Sequence, residues 1–162
     1  MNTTTMFSRA ATGGRDDWET PADLFATLDR EFHFTLDAAA RADNRRCDRW
    51  LGPGSPLGED ALTADWAAAS GGGAVWCNPP YSTILHWVLR ALTQPIVTVM
   101  LIPSRTDTRW FGLVWDFERH QPRPHVSVRF LPGRVKFRGA QNSAPFPSLL
   151  VIFDGLGRFA QP

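Results

Sequence analysis

Cysteine is scarce in this chain. Cys47 and Cys77 are the only two in 162 residues, and they make neither a disulfide framework nor a zinc site. Cys77 falls in an apolar run and reads as packing. No apolar stretch approaches the roughly 20 residues needed to span a bilayer. The first residues are polar and lack the apolar segment of a secretory signal. A reducing cytoplasm is therefore the expected setting. Internal repeats and low-complexity tracts are also missing. Net charge is small, +1, so total charge points to no class of partner. Its distribution is more informative. Residues 15–66 carry 6 basic and 12 acidic side chains, whereas residues 105–138 carry 8 basic and 3 acidic. A basic second half suits a phosphate-facing surface, and equally an ordinary solvated one.

What is present is dominated by one tetrapeptide. An apolar run, Ala74-Val75-Trp76-Cys77, leads straight into Asn78-Pro79-Pro80-Tyr81. The Asn78 side-chain oxygen and the Pro79 carbonyl can both accept from one planar NH2 group. Two acceptors draw the nitrogen lone pair out of conjugation and towards a methyl donor. The Pro-Pro step fixes φ twice and removes two backbone donors. Tyr81 offers a flat face for stacking. Taken alone, the tetrapeptide is compatible with a strand ending at a proline turn. Between a strand and a helix it points to methyl transfer onto a planar amino group.

Length and 43% hydrophobic content indicate one compact domain over residues 17–162, behind a mobile polar tail over 1–16. Thr20 is a plausible N-cap, with Pro21 at the first helical position and Asp23 completing a capping box. Leu24, Phe25, Leu28 and Phe32 line one face of that helix. Residues 32–37 read as a strand ending in Asp37. Residues 41–58 read as irregular, with a short strand near 49–51. Residues 60–66 read as a short strand or turn, and Gly71-Gly72-Gly73 as a flexible connector. Strand 74–78, helix 82–92 and strand 96–102 follow. Next come a helix over 107–117, a hairpin of 126–131 with 134–137 around Pro132-Gly133, a loop over 138–147 and a last strand over 149–153. Strands alternating with helices imply an α/β fold with a mostly parallel central sheet and an antiparallel C-terminal hairpin. Asp37, Asn78 and Ser104 then fall just beyond strand ends, where such sheets collect ligands.

Seven ordered pieces extend the pattern. They are Trp18-Glu19-Thr20-Pro21, Leu36-Asp37-Ala38-Ala39-Ala40, Asp60-Ala61-Leu62 with Asp65-Trp66, the Asn78 tetrapeptide, Leu101-Ile102-Pro103-Ser104-Arg105 continuing through Arg109-Trp110-Phe111, Gly133-Arg134-Val135-Lys136-Phe137, and Ala144-Pro145-Phe146-Pro147-Ser148. In this set the chain resembles the phage-type, Dam-like DNA N-6-adenine methyltransferases. The resemblance implies a Rossmann-like methyltransferase fold, S-adenosylmethionine as donor and duplex DNA as substrate. It makes Asn78, Pro79, Pro80 and Tyr81 the catalytic loop. It places Trp18, Thr20 and Pro21 at the cofactor's methionine end, Asp37, Ala38 and Ala39 at the turn after the first strand, and Asp60 (or Asp65) near an adenine. A carboxylate at Asp37 can pair with a cationic amine. Many methyltransferases carry glycines in that turn, and this chain has none. Asp43 and Asp48 are the candidates for an acidic ribose ligand.

The implied reaction flips an adenine out of the stack, at a cost of a few kcal/mol, and stacks it on Tyr81 for about 1–3 kcal/mol. Positioning and preorganisation carry the rate, and neither a metal nor a covalent enzyme intermediate is needed. Ser104, Arg105, Arg109, Arg134, Lys136 and Arg138 are the candidate DNA contacts within 104–147. Other readings remain open on residues alone: a cytosine N-4 or protein-glutamine methyltransferase with the same loop, a non-catalytic nucleic-acid-binding domain, or a structural α/β domain.

Overall fold

The computed structural model describes residues 16–156. Residues 1–15 of the tail expected over 1–16 lie outside them, while Asp16 is described and bound to Ser82. Helix α1 (Ala22–Phe32) presents Leu24, Phe25, Leu28 and Phe32 to the interior. It ends at His33 in a left-handed conformation, whose N–H donates to the Asp29 carbonyl. The Asp29 carboxylate then accepts from the Phe34 N–H and launches strand β1 (Phe34–Asp37). Strand β2 (Arg49–Trp50), helix α2 (Trp66–Ser70) and strand β3 (Ala74–Cys77) follow. A short 3-10 turn (Tyr81–Thr83) leads into α3 (Ile84–Thr93) and β4 (Thr98–Pro103). The remainder is α4 (Phe111–Val114), β5 (Trp115–Asp116), β6 (Gln121–Pro122), β7 (Val126–Phe130) and β8 (Ser148–Phe153).

Six strands form one sheet in the order β2-β1-β3-β4-β8-β7. Strands β2, β1, β3 and β4 pair in parallel. Strand β8 is antiparallel to both β4 and β7, so it alone runs backwards. Alternation explains why the sheet is buried on both faces. Val99 and Leu101 of β4 join Trp76 and Leu150 under α1, while Met100 and Ile102 join Val75, Cys77 and Val151 under α3. All six residues of β4 are buried. Each fully buried side chain of leucine size contributes about 1.5–3 kcal/mol.

Four expectations change. Pro21, not Thr20, occupies the N-cap position of α1, and no side chain caps that helix. Residues 134–137 form no strand; the partner of β7 is β8, and the 131–147 loop folds Phe137 and Ala144 into the core under α1. The helix expected over 107–117 shrinks to α4, because Trp115 and Asp116 leave to pair with Pro122 and Gln121. The glycine connector is close-packed at its last residue, where a Cβ on Gly73 would stand 2.3 Å from a methyl of Thr35, while Gly71 and Gly72 are exposed.

Candidate active site

Strand order reverses its direction of growth at β1, with β2 on one side and β3 on the other. The crevice beyond the carboxyl ends of β1 and β3 is the place where open α/β sheets bind ligands. Asp37 closes β1 on that edge, Asn78 follows β3, and Ser104 follows β4.

The Asn78 amide is held from one side. Its Nδ2 donates to the Trp18 carbonyl and to Thr20 Oγ1, the latter at 3.1 Å. Its Oδ1 is buried and has no hydrogen-bond partner among the described residues. The neighbouring amides are committed elsewhere. Ser82 N donates to Asp16 Oδ1 at 2.8 Å, and Thr83 N donates to the Pro80 carbonyl at 3.2 Å. Neither folds back onto the Pro79 carbonyl. The orphaned amide oxygen is followed directly in the chain by the rigid carbonyl of Pro79. An unpaired buried acceptor costs about 1–3 kcal/mol, a deficit that an incoming NH2 group would relieve.

Tyr81, the only tyrosine, sits in an aromatic group that sequence reasoning did not assemble. Its ring lies 5.7 Å from Phe146 and 6.3 Å from Phe137, both near edge-to-face. Trp18 meets the same two rings at 5.2 and 5.3 Å. The Tyr81 hydroxyl is buried without a partner, and burial pushes its pKa up, so it stays neutral. Phe137 and Phe146 come from the 131–147 loop, which thus faces the Asn78 tetrapeptide.

Asp37 is buried. Its Oδ2 accepts from Arg46 N at 2.9 Å and its Oδ1 from Ala39 N at 3.3 Å. Burial pushes its pKa up to about 6, against the opposing pull of those two N–H groups and the Arg46 charge. Arg46 was not singled out from the sequence. Its guanidinium donates to the Thr20 carbonyl, and its Nε is buried without a partner. Ala38 is fully buried and its N–H donates to the Trp76 carbonyl, so the Asp37 turn lies flat against β3. Burial raises the Cys77 thiol pKa well above the usual range, consistent with a packing role.

Asp60 stands apart. Its carboxylate accepts from Leu62 N, and it lines a shallow hollow of about 480 Å³ that includes none of residues 16–21, 37–39 or 78–81. Among the basic candidates, Arg134 is exposed and donates to the Ala144 carbonyl. Arg138 approaches Glu19 at 3.8 Å. Arg105 lies over Phe146 at 5.8 Å, beside the aromatic group. Arg105, Arg109 and Lys136 are exposed and form no ion pair among the described residues. The Ser104 N–H ties the end of β4 to the Pro147 carbonyl. No group of three His, Cys, Asp or Glu among the described residues could hold a metal ion, and no described helix is long and apolar enough to cross a membrane.

A family model described as DNA N-6-adenine-methyltransferase (Dam) matches residues 8–157. A DNA N-6-adenine-methyltransferase of Haemophilus phage HP1 (strain HP1c1) is 33% identical over 147 residues, which is 86% of this chain and 79% of that protein. A protein of the same name from Escherichia phage T1 is 32% identical over 101 residues, covering 60% of this chain and 40% of its own length.

Proposed function

This chain belongs to the DNA N-6-adenine-methyltransferase (Dam) family, and from that membership we propose how its residues perform the reaction. The enzyme methylates the exocyclic N-6 amine of adenine in DNA. The observation that carries our reading of the site is the Asn78 amide, with its NH2 engaged by Trp18 and Thr20 and its oxygen buried and unpaired. Asn78 Oδ1 and the Pro79 carbonyl accept the two protons of the target amine. This aims the nitrogen lone pair out of the ring plane. Tyr81 stacks on the base, and its neutral hydroxyl introduces no competing charge. The base reaches this pocket by flipping from a duplex, because its N-6 amine is otherwise engaged in pairing.

S-adenosylmethionine, when bound, supplies the electrophilic methyl group. Its methionine end is a zwitterion, and the residues at the β1 turn fit it. Buried Asp37 suits the ammonium, and the unpartnered Arg46 Nε suits the carboxylate. Small Ala38 and Ala39 leave the turn's backbone approachable. Thr20 and Pro21 border the same end. Asp60, which lies in a different hollow, has less support as an adenine ligand. We read the fold as a Rossmann-like methyltransferase sheet, on the strength of its parallel strands, the switch point at β1 and the single reversed strand β8. Exposed Arg105, Arg109 and Lys136 contact the DNA backbone, while Arg134 braces the 131–147 loop.

The test is methyl transfer from labelled S-adenosylmethionine to unmethylated duplex DNA, followed by nucleoside analysis. N-6-methyladenine should form with the native chain and vanish with Asn78→Ala, whose cofactor binding should persist. Full activity in Asn78→Ala would refute the assignment of the loop. Label in cytosine would refute the proposed base.

A further inference from the structure

Residues 16–21 do more than lead into α1. Asp16 grips the Ser82 N–H and hydroxyl, at 2.8 and 2.6 Å. Glu19 pairs its backbone with Arg138 across an isolated antiparallel bridge. Arg46 donates to the Thr20 carbonyl. The segment is thus a strap, tied to the catalytic loop, to the loop after β1 and to the 131–147 loop. Thr20 is buried within it.

A side-chain amide can turn over by half a rotation with almost no change in shape, so its partners decide which atom points where. The Trp18 carbonyl can only accept. It therefore takes the NH2 of Asn78 and rejects the oxygen. Thr20 Oγ1, at 3.1 Å, takes the same NH2. Both contacts lie on the strap side, and the orphaned Oδ1 lies on the other. An aspartate at this position would set an anionic oxygen against the Trp18 carbonyl.

We propose that Thr20 and the Trp18 carbonyl are positioning groups for the reaction: they hold the Asn78 amide with its oxygen towards the acceptor amine, and they make asparagine, not aspartate, the workable residue at position 78. This inference rests on the reading of Asn78 as the amine acceptor. Thr20 acts through Asn78 and does not itself touch the reacting atoms. The strap therefore sets the catalytic geometry from a segment nearly sixty residues upstream in sequence.

The test compares Thr20→Val, Thr20→Ser, Asn78→Asp and Asn78→Ala, each checked for folding by its melting temperature. Thr20→Val should lower kcat by about 5- to 10-fold, the worth of one neutral hydrogen bond. Its KM for duplex DNA should stay within about twofold, since the contacts to DNA are untouched. Thr20→Ser restores the hydroxyl and should restore kcat. In the free protein, the Asn78 side-chain NH2 should exchange slowly with solvent and exchange faster in Thr20→Val. Asn78→Asp should lose about 100-fold or more at pH 7.5, as when one preorganised group is removed. It should recover as pH falls, because a protonated carboxyl can donate to the Trp18 carbonyl and leave its other oxygen free. A merely structural role for the Trp18 carbonyl predicts no such acid recovery, and a merely structural role for Thr20 predicts that kcat falls only in step with the melting temperature. Full kcat in Thr20→Val, or a flat pH profile with high activity in Asn78→Asp, overturns the inference alone, provided that Asn78→Ala is inactive. Methylation by Asn78→Ala would overturn both the inference and the reading beneath it.

Discussion

Asp37 gives the sharpest prediction, because its perturbation reads out with and without ligand. In the free chain its burial raises the pKa from 3.8 to about 6. The folded state therefore holds the proton more tightly than the unfolded one. Between about pH 4 and pH 6 the unfolded chain releases that proton first, so stability falls as pH rises through this window and stays lower above it. The difference between the two values corresponds to about 3 kcal/mol. Asp37→Asn cannot ionise and escapes the penalty. Its amide must, however, turn an NH2 towards either Arg46 N or Ala39 N, at a cost of about 1 kcal/mol for one lost hydrogen bond. Net stabilisation of about 2 kcal/mol is expected at pH 7.5. Urea unfolding followed by tryptophan fluorescence, at intervals from pH 4 to pH 8, gives the comparison. Groups common to both proteins cancel, leaving a difference curve that favours the variant increasingly up to about pH 6 and then flattens. With S-adenosylmethionine the order reverses. Its ammonium needs the carboxylate form, so native affinity should rise about tenfold per pH unit up to about 6 and level off. Asp37→Asn should bind weakly with no such rise. A flat difference curve in the free protein would refute the desolvation argument, and equal cofactor affinity in the variant would refute the pairing.

Three more perturbations test separate parts of the argument. Tyr81→Phe removes a buried hydroxyl that has no partner; it should unfold no more easily than the native chain and keep its kcat, whereas Tyr81→Ala should lose about 1–3 kcal/mol of base stacking, read as a drop in kcat/KM for DNA. Arg105→Ala, Arg109→Ala and Lys136→Ala should each lower the slope of log affinity against log salt by about 1, while Arg129→Ala, whose guanidinium is bound at 2.6 and 2.8 Å by both carboxylate oxygens of Glu31, should leave it unchanged. Gly52→Ala should cost about 3 kcal/mol or more in a denaturation experiment, because the new Cβ would stand 1.9 Å from the Ala40 carbonyl oxygen at a φ of +145°; a native melting curve would contradict the packing described for the β1 turn.

How far the sequence could be read follows from the range of each interaction. Strands β3 and β4 were legible because each is a continuous apolar run, and a run buried on both faces needs no partner to announce it. The Asn78 tetrapeptide was legible because it directly continues β3. The pairing of β7 was not. Pro132-Gly133 is a strong local turn signal, yet β8 offers β7 a partner with five of its six residues buried. Burial of that strand outweighs a short hairpin. Thr20 was misread for a related reason. Thr-Pro before a helix looks the same whether the hydroxyl caps that helix or bonds an amide 58 residues away. Phe137 and Phe146 lay inside quoted motifs but were not placed at the site. Aromatic residues in a loop rich in Gly, Ser and Pro were the available clue, since such a loop has little else to bury.

The missing glycine of the β1 turn can now be given a physical reason. A glycine is needed there if the backbone must take positive φ or if something must approach closely. Among the described residues, positive φ outside glycine occurs only at His33, His120 and His125, so Asp37, Ala38, Ala39 and Ala40 make their turn in ordinary conformations. Close approach does occur, but on the opposite partner. Ala40 N donates to the Leu51 carbonyl, Leu51 N donates to the Asp37 carbonyl, and the next residue, Gly52, lies against the Ala40 carbonyl with no space for a Cβ. The glycine that this close approach requires stands in the segment after β2 that packs on the turn. Alanines can then line the turn, and the buried Ala38 and Ala40 wedge Asp37 in place more firmly than glycines would. A turn made stiff in this way holds its carboxylate out of water before any ligand arrives. That is the same burial that raises the Asp37 pKa, so the alanine turn and the pH dependence expected of cofactor binding have one structural origin.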